Sequence, residues 1–245
     1  MKALLLAGGT GSRLHPLTLG VNKHLLPVGP QPMIGHALTF LRDVGVSSVT
    51  IITTPDDLSG YGRLIGSNRP PYSDFDNIYI AVQSKPAGIA NAILYGESYV
   101  GEDNVLVMLA DNVYDKADKP LIAGVVTDFD NGCHVWTTTT RKPQDVGILV
   151  TKQGKPVQCV EKPKEFVGDQ AVTGLYLFDG AVWDIIRSLE PSARGEYEVT
   201  DILNEYLELG FLKHSPLLGP WMDMGGSLEE YLTHSAKVAQ QCTFS

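Results

Sequence analysis

Apolar and polar positions follow two regimes along this chain. In the first half, short apolar runs recur at Ala3–Ala7, Val49–Thr53, Ile78–Val82 and Val105–Ala110. Runs of this length, bounded by turn residues, predict strands buried on both faces. Between the first two, Met33, Ala37, Leu38, Leu41 and Val44 recur at helical spacing. Pro32 stands in the first turn, where its missing N–H costs nothing, and Gly45 stands at the C-terminal cap. Pro55 to Asn68 reads as loop and short helix weakened by Gly62 and Gly66, and Arg69-Pro70-Pro71 blocks its continuation. A further helix is predicted from about Ile89 to Tyr99.

Past residue 130 the period shortens. Val135–Thr140, Gly147–Val150, Val157–Glu161 and Val172–Phe178 read as short strands, split by turns such as Asp130-Asn131-Gly132 and Gln153-Gly154-Lys155. Helices are predicted at Ala181–Leu189 and Val199–Leu209. Ser227 with Glu230 three residues on forms a capping box for a last helix reaching about Gln241. The pattern predicts an α/β protein: a Rossmann-like, mostly parallel central sheet with helices on both faces, and a smaller, partly antiparallel extension. The 245 residues can bury a substantial core, and a single unit is expected over 1–245. Its parts are about 1–130, 131–226 and a terminal helix at 227–241.

Composition narrows the function. The formal charge of −9, with no Lys/Arg cluster, argues against a nucleic-acid surface. Hydrophobic residues at 43% and charged residues at 19% are ordinary for a globular protein. No segment reaches the length of a signal sequence or a membrane span. Cys133, Cys159 and Cys242 form no CxxC and fit reduced thiols, so a cytoplasmic protein without zinc is expected.

In a parallel sheet ligands gather at the carboxyl ends of the strands. There stand Gly8, Gly9, Gly11 and Arg13 after the first run, Gln83 to Gly88 after the third, and Asp111 after the fourth. A glycine turn can present several N–H groups to an anion, and Arg13 and Lys23 follow as cations. Together they suggest a polyphosphate site. The P-loop string G-x-x-x-x-G-K-[ST] is absent, and the turn lacks the third glycine of the dinucleotide fingerprint. Asp111 could hold a metal or cap a helix, and Asp223 could be its partner or a turn residue before Gly225-Gly226.

The strings LAGGTGSRLHPLT and NKHLLPVGPQPMI resemble the signature of the sugar-1-phosphate nucleotidyltransferases, G-x-G-x-R-L-x-P-x-T followed by K-x-L-L-P. The resemblance implies Mg²⁺-dependent transfer of a nucleotidyl group from dTTP or UTP to a sugar 1-phosphate, with glucose 1-phosphate the expected acceptor. It implies nucleotide contacts from Leu6, Gly8, Gly9, Gly11, Ser12, Arg13, Gln83, Gly88 and Asp111, with Gln83 and Gly88 reading a pyrimidine. Arg13, Lys23 and Lys162 become the catalytic cations. Gly147, Glu161, Lys162, Val172 and Glu196 become sugar-phosphate contacts, and Asp111 and Asp223 become the Mg²⁺ ligands. The extension is then the sugar-binding part, the partners are small molecules, and a homodimer or homotetramer is expected.

Departures from the family pattern leave the sugar open. The family's W-x-D-x-G-T reads WMDMGG, its L-G-D reads LAD, and the aromatic before Gly147 is Val146. The C-terminal helices of longer members, which build a feedback-inhibitor site, find no counterpart after Gln241, so weaker or no control of that kind is expected. Other readings stand beside this one: another nucleotide or phosphorylated acceptor on the same fold, a catalytically silent sugar-nucleotide-binding module, or a dinucleotide-binding oxidoreductase.

Overall fold

The structure is a computed structural model that describes residues 1–243, and side chains up to residue 240. Cys242 therefore lies outside the described side chains. The first half runs β1 (Lys2–Leu6), a small hairpin of β2 (Pro27–Val28) and β3 (Gln31–Pro32), α1 (Met33–Asp43), β4 (Ser48–Thr53), α2 (Leu58–Gly66), β5 (Asn77–Val82), α3 (Ile89–Leu94), α4 (Glu97–Val100) and β6 (Val105–Leu109). The second runs β7 (Asn112–Tyr114), α5 (Lys119–Asp128), β8 (Cys133–Thr139), β9 (Gly147–Lys152), β10 (Lys155–Glu161), β11 (Gln170–Phe178), α6 (Val182–Ser188), α7 (Val199–Glu208), β12 (Leu212–Pro216), β13 (Trp221–Asp223) and α8 (Leu228–Thr243).

β1 is the central parallel strand, flanked by β4 and β6, and β5 continues the sheet beyond β4. Successive side chains of a strand face opposite ways. Leu4 and Leu6 therefore join a core with Ile93, Tyr176, Phe178 and Leu203, while Ala3, Leu5 and Ala7 join the opposite core with Leu38, Leu41, Ile51 and Trp136. Two covered faces explain why the run Ala3–Ala7 has no polar break.

The direction of pairing changes at β11. This strand pairs antiparallel with β6 through Leu175–Phe178, with β8 along its other edge, and with β9 at Ala171. β9 and β10 form the antiparallel hairpin predicted at Gln153-Gly154, both residues at positive φ. The mostly parallel sheet with an antiparallel extension thus matches the pattern in the sequence. A third cluster ties Leu14 and Leu26 of the first loop to Met222, Met224 and Tyr231, so α8 packs beneath the glycine turn.

Several elements differ from expectation. The helix from Ile89 to Tyr99 is broken into α3 and α4 at Gly96, a poor helix former packed on Leu4. The short helix expected after Pro55 does form, as α2, and buries Tyr61 despite Gly62 and Gly66. Pro32 sits one residue outside α1, in extended conformation, rather than in its first turn. α5 and β12 were not predicted: the apolar residues of α5 (KPLIAGVVTD) cluster in one short run with Pro120 and Gly124 rather than showing a helical period, and β12 reads LKHSP, with no alternation. The two-stranded ladder of β7 with β13 was also missed, since three residues are too few to show a period. At α8, Ser227 accepts from the N–H of Glu230 (3.1 Å), but the Glu230 carboxylate pairs with Lys142 (2.6 Å) rather than completing the box.

Candidate active site

The turn after β1 is anchored where the Ala7 N–H donates to the carbonyl of Ile52 (2.8 Å). Beyond it Gly9 and Gly11 lie against the Lys23 side chain; a Cβ there would stand 3.3 Å from Lys23 Cε and 3.0 Å from its Cβ, respectively. The ammonium of Lys23 ion-pairs with Asp111 Oδ2, and both side chains are largely buried. Asp111 Oδ1 accepts from Asn112 Nδ2 (2.9 Å).

The β7–β13 ladder brings Asp223 to this point. Its register sets Asp223 opposite Asn112, and the next N–H, of Met224, donates to the Asp111 carbonyl (2.8 Å). Asp223 Oδ1 accepts from Gly225 N–H (2.8 Å). A Cβ on Gly225 would sit 2.4 Å from Asp111 Oδ2 and 2.8 Å from Lys23 Nζ, so any side chain there would have to displace this ion pair.

The two carboxylates are shifted in opposite directions. Burial and the neighbouring Asp111 charge push Asp223 up to about 6, against the pull of the Gly225 N–H, Lys23 and the exposed Arg13. Burial would raise Asp111 as well, but the Lys23 ammonium paired with it outweighs burial and holds it below the usual carboxylate range. His24 itself is lowered to about 3, by burial first and by Lys23 second, so it is neutral.

On the far side of the turn, Gln83 is buried, with Nε2 donating to Asn91 Oδ1 (2.8 Å) and Oε1 beside Gly8. Gly88 has φ +100° and lies against the Tyr197 backbone, where a Cβ would meet the carbonyl at 2.4 Å. The nucleotide-side loop is thereby fastened to the segment carrying Glu196.

The acceptor side holds a second group of charges. Lys162, at φ +41°, lies 3.6 Å from Glu161. Arg194 pairs with Glu196 (2.7 Å), Glu198 (3.5 Å) and Glu161 (3.6 Å). Burial raises the Glu161 carboxyl, countered by Lys162 and reinforced by Glu198. Gly147 opens β9 between Thr200 and Glu161. Val172 lies at the start of an irregularity in β11, where its register with β8 shifts before Tyr176.

One cleft of about 450 Å³ joins the two sides. Leu6, Gly8, Gly9, Gly11, Ser12, Arg13, Lys23, Gln83, Gly88 and Asp111 line it from the nucleotide side. Gly147, Glu161, Lys162, Val172, Glu196 and Asp223 line it from the other. Every site residue expected from the sequence is therefore brought together. Glu198 lines it too, within the string Arg194–Asp201 that the family resemblance takes as the wall opposite Asp223, and so do His24, Asn112, Tyr176 and Trp221, to which the sequence assigns no role. Asn112 has a signal, its position beside Asp111, and Glu198 has one in the string Arg194–Asp201; Tyr176 has none, since a core tyrosine looks alike in any sequence.

The donor set suits Mg²⁺. Among the described residues no cluster of three or more His, Cys, Asp or Glu side chains could enclose a metal. Mg²⁺ is commonly held by one or two carboxylates plus substrate phosphates. Asp111, buried, and Asp223, half-buried, are neighbouring carboxylates facing the cleft, and the raised Asp223 marks charge that a cation would relieve.

Comparison with known proteins agrees with this arrangement. Residues 2–241 match the family described as Nucleotidyl transferase. A glucose-1-phosphate thymidylyltransferase of Neisseria meningitidis serogroup A is 37% identical over 230 residues, 92% of this chain and 78% of that one. Another, from Mycolicibacterium smegmatis, is 38% identical over 231 residues, again 92% and 78%. A Bacillus anthracis structure assigned as a glucose-1-phosphate thymidylyltransferase, in complex with a sucrose, superposes with a TM-score of 0.87 at 37% identity, covering 98% of this chain and 95% of that one. The fold alone is shared with a UDP-glucose pyrophosphorylase complexed with UDP-glucose, with a TM-score of 0.88 at 20% identity and 98% coverage of both. On the family match and the identity with these relatives, the chain belongs to the nucleotidyl transferase family.

Proposed function

We propose that the protein transfers a nucleotidyl group from dTTP or UTP to a sugar 1-phosphate, with glucose 1-phosphate the favoured acceptor, in a reaction requiring Mg²⁺. A phosphate oxygen of the acceptor attacks the α-phosphorus in line, the bond from that phosphorus to the bridging oxygen breaks, and pyrophosphate leaves. The nucleophile is already an anion, so no strong general base is needed. What is needed is the approach of two anions and stabilisation of the charge that develops.

Arg13 and the N–H groups of Gly8–Arg13 bind the triphosphate. Lys23 neutralises the α-phosphate, for which it exchanges its present partner, Asp111. Gln83 and the backbone at Gly88 take the base, the Gln amide offering both a donor and an acceptor to a pyrimidine edge. Lys162 holds the acceptor phosphate, and Glu161 and Glu196 accept from sugar hydroxyls beside Gly147 and Val172. Asp111 and Asp223 hold Mg²⁺, which supplies Lewis-acid stabilisation of phosphate charge when bound.

The observation that carries this reading is the convergence of cations on both sides of one cleft around two neighbouring carboxylates, Asp111 and Asp223. The names of the relatives favour thymidylyl transfer to glucose 1-phosphate. The test is pyrophosphate release with Mg²⁺ across the NTPs and a panel of sugar 1-phosphates. Turnover with dTTP or UTP and glucose 1-phosphate is the expected result. Binding of nucleotide sugar without turnover on any pair would instead make the protein a silent binding module. The reading also takes the protein as a cytoplasmic dimer or tetramer, checked by light scattering.

A further inference from the structure

The base of the glycine turn is closed by a buried amide that contacts neither the cleft nor any group assigned to substrate. Asn22 is 6% exposed and caps the short turn that begins with Lys23. Its Nδ2 donates to the Ala7 carbonyl (3.2 Å) and to Asp57 Oδ2 (2.7 Å). Its Oδ1 faces three donors: the His24 N–H (2.9 Å), His24 Nδ1 (2.7 Å) and the Tyr61 hydroxyl (3.0 Å). Tyr61 also reaches the Ala7 carbonyl (3.1 Å).

This network fixes its own orientation. Ala7 O and Asp57 Oδ2 can only accept, so the amide nitrogen must face them and the oxygen must face His24 and Tyr61. His24 then carries its proton on Nδ1, which agrees with a buried imidazole kept neutral. The whole capacity of the amide is used in a site that excludes water. A satisfied buried polar group of this kind specifies one arrangement, because any other leaves donors or acceptors unpaired.

What it specifies is the position of the phosphate-facing groups. Ala7 is the last residue of the turn's base held by the sheet, and Asn22 immediately precedes Lys23. Their link brings both ends of the Gly8–Val21 excursion together, and Asp57 and Tyr61 tie that link to the flank of α2. We propose that Asn22 is a positioning residue for nucleotidyl transfer: it closes the glycine loop and aims Lys23 at the reacting phosphate. Asp57 acts through it, by holding the amide from the side opposite His24. The inference rests on the role given to Lys23 under the proposed function.

The reciprocal swap tests it. Asn22→Asp keeps the oxygen that His24 and Tyr61 need but sets a carboxylate against Asp57 and the Ala7 carbonyl. Asp57→Asn in the same chain restores one donor–acceptor pair between the two side chains. Asn22→Asp should lower kcat by about a hundredfold, the scale of an ångström-sized misplacement at a reacting centre. KM for the acceptor should stay near its wild-type value. Amide hydrogen exchange should quicken over residues 8–26 and not in β8–β11. The double variant should recover both kcat and slow exchange; it carries the test if Asn22→Asp alone does not fold. A purely structural role would move the unfolding midpoint and not the split between kcat and KM. A swap that restores the midpoint but not kcat overturns the proposal, as does wild-type kcat in Asn22→Asp. Absence of pyrophosphate release from the unaltered protein would count against the proposed function instead, and local exchange would still report whether Asn22 closes the loop.

Discussion

The two sides of the cleft are built on different principles. On the nucleotide side, β1, β4, β5 and β6 run parallel, and the groups facing the cleft follow the carboxyl ends of β1, β5 and β6. On the acceptor side, β8 to β11 pair antiparallel, and the groups come from a strand start (Gly147), a strand end (Glu161), a register shift (Val172) and a loop before α7 (Glu196). A parallel sheet sends every loop that follows a strand to one edge by topology, so a single such turn predicts where its neighbours lie. An antiparallel extension sends successive loops to opposite ends and needs bulges and positive-φ residues such as Lys162 to aim side chains at a shared point. The β7–β13 ladder joins the two designs by carrying Asp223 back to Asp111.

If that joint matters most, breaking it should have the largest effect. Asp111→Asn and Asp223→Asn are each expected to cut kcat about a hundredfold or more, the scale of losing one preorganised electrostatic group. Wild-type rates in both would remove the metal assignment. Next in size is Gly88→Ala, which strains a φ of +100° and drives a Cβ into the Tyr197 carbonyl that fastens one side to the other. Urea unfolding should show a loss of about 1–3 kcal/mol, the cost of an incompatible backbone conformation. An unchanged midpoint would mean the two sides are fastened elsewhere.

A subtler comparison separates the sides by kinetics. Lys162→Ala should raise KM for the sugar phosphate by about tenfold, in keeping with loss of a charged hydrogen bond, and leave KM for the nucleotide alone. Equal shifts in both constants would deny a division of labour.

The smallest expected effect concerns acid stability. His134 of β8, beside Trp136 and Ser215, is lowered to about 4, chiefly by burial and then by the nearby charges at His214 and Lys213. The unfolded chain binds a proton near 6.5 that the folded chain refuses, so this contribution is complete above 6.5 and is lost as pH falls towards 4. Urea midpoints at pH 7 and pH 4.5 should therefore draw closer in His134→Gln than in the wild type. An identical pH response would assign the acid loss to other groups.

The legibility of the site in the sequence follows the same division. Ala3–Ala7 with its glycines, and Val105–Ala110 with Asp111, announced a parallel edge because apolar runs and turn residues are local signals. The Lys162 and Glu161 assignments came from a resemblance, since a Glu-Lys-Pro at a strand end is in itself an ordinary turn. Asn22 carried no signal at all. A single asparagine before a lysine looks like any cap, and its five partners come from residues as distant as Tyr61. α5 and β12 escaped for a related reason: their places depend on neighbours that supply burial and pairing their own residues do not advertise.

What the sequence determined by itself was the sheet, the hydrophobic division of β1 between two cores, and the family, because periodicity and motif strings are properties of neighbouring positions. Tertiary structure decided which carboxylates meet, which of them is the harder to ionise and what closes the glycine loop. Those outcomes depend on distance and desolvation between residues far apart in the chain. Asp111 and Asp223 are both aspartates in the sequence; only their burial against each other, with Lys23 turned towards one of them, makes them different.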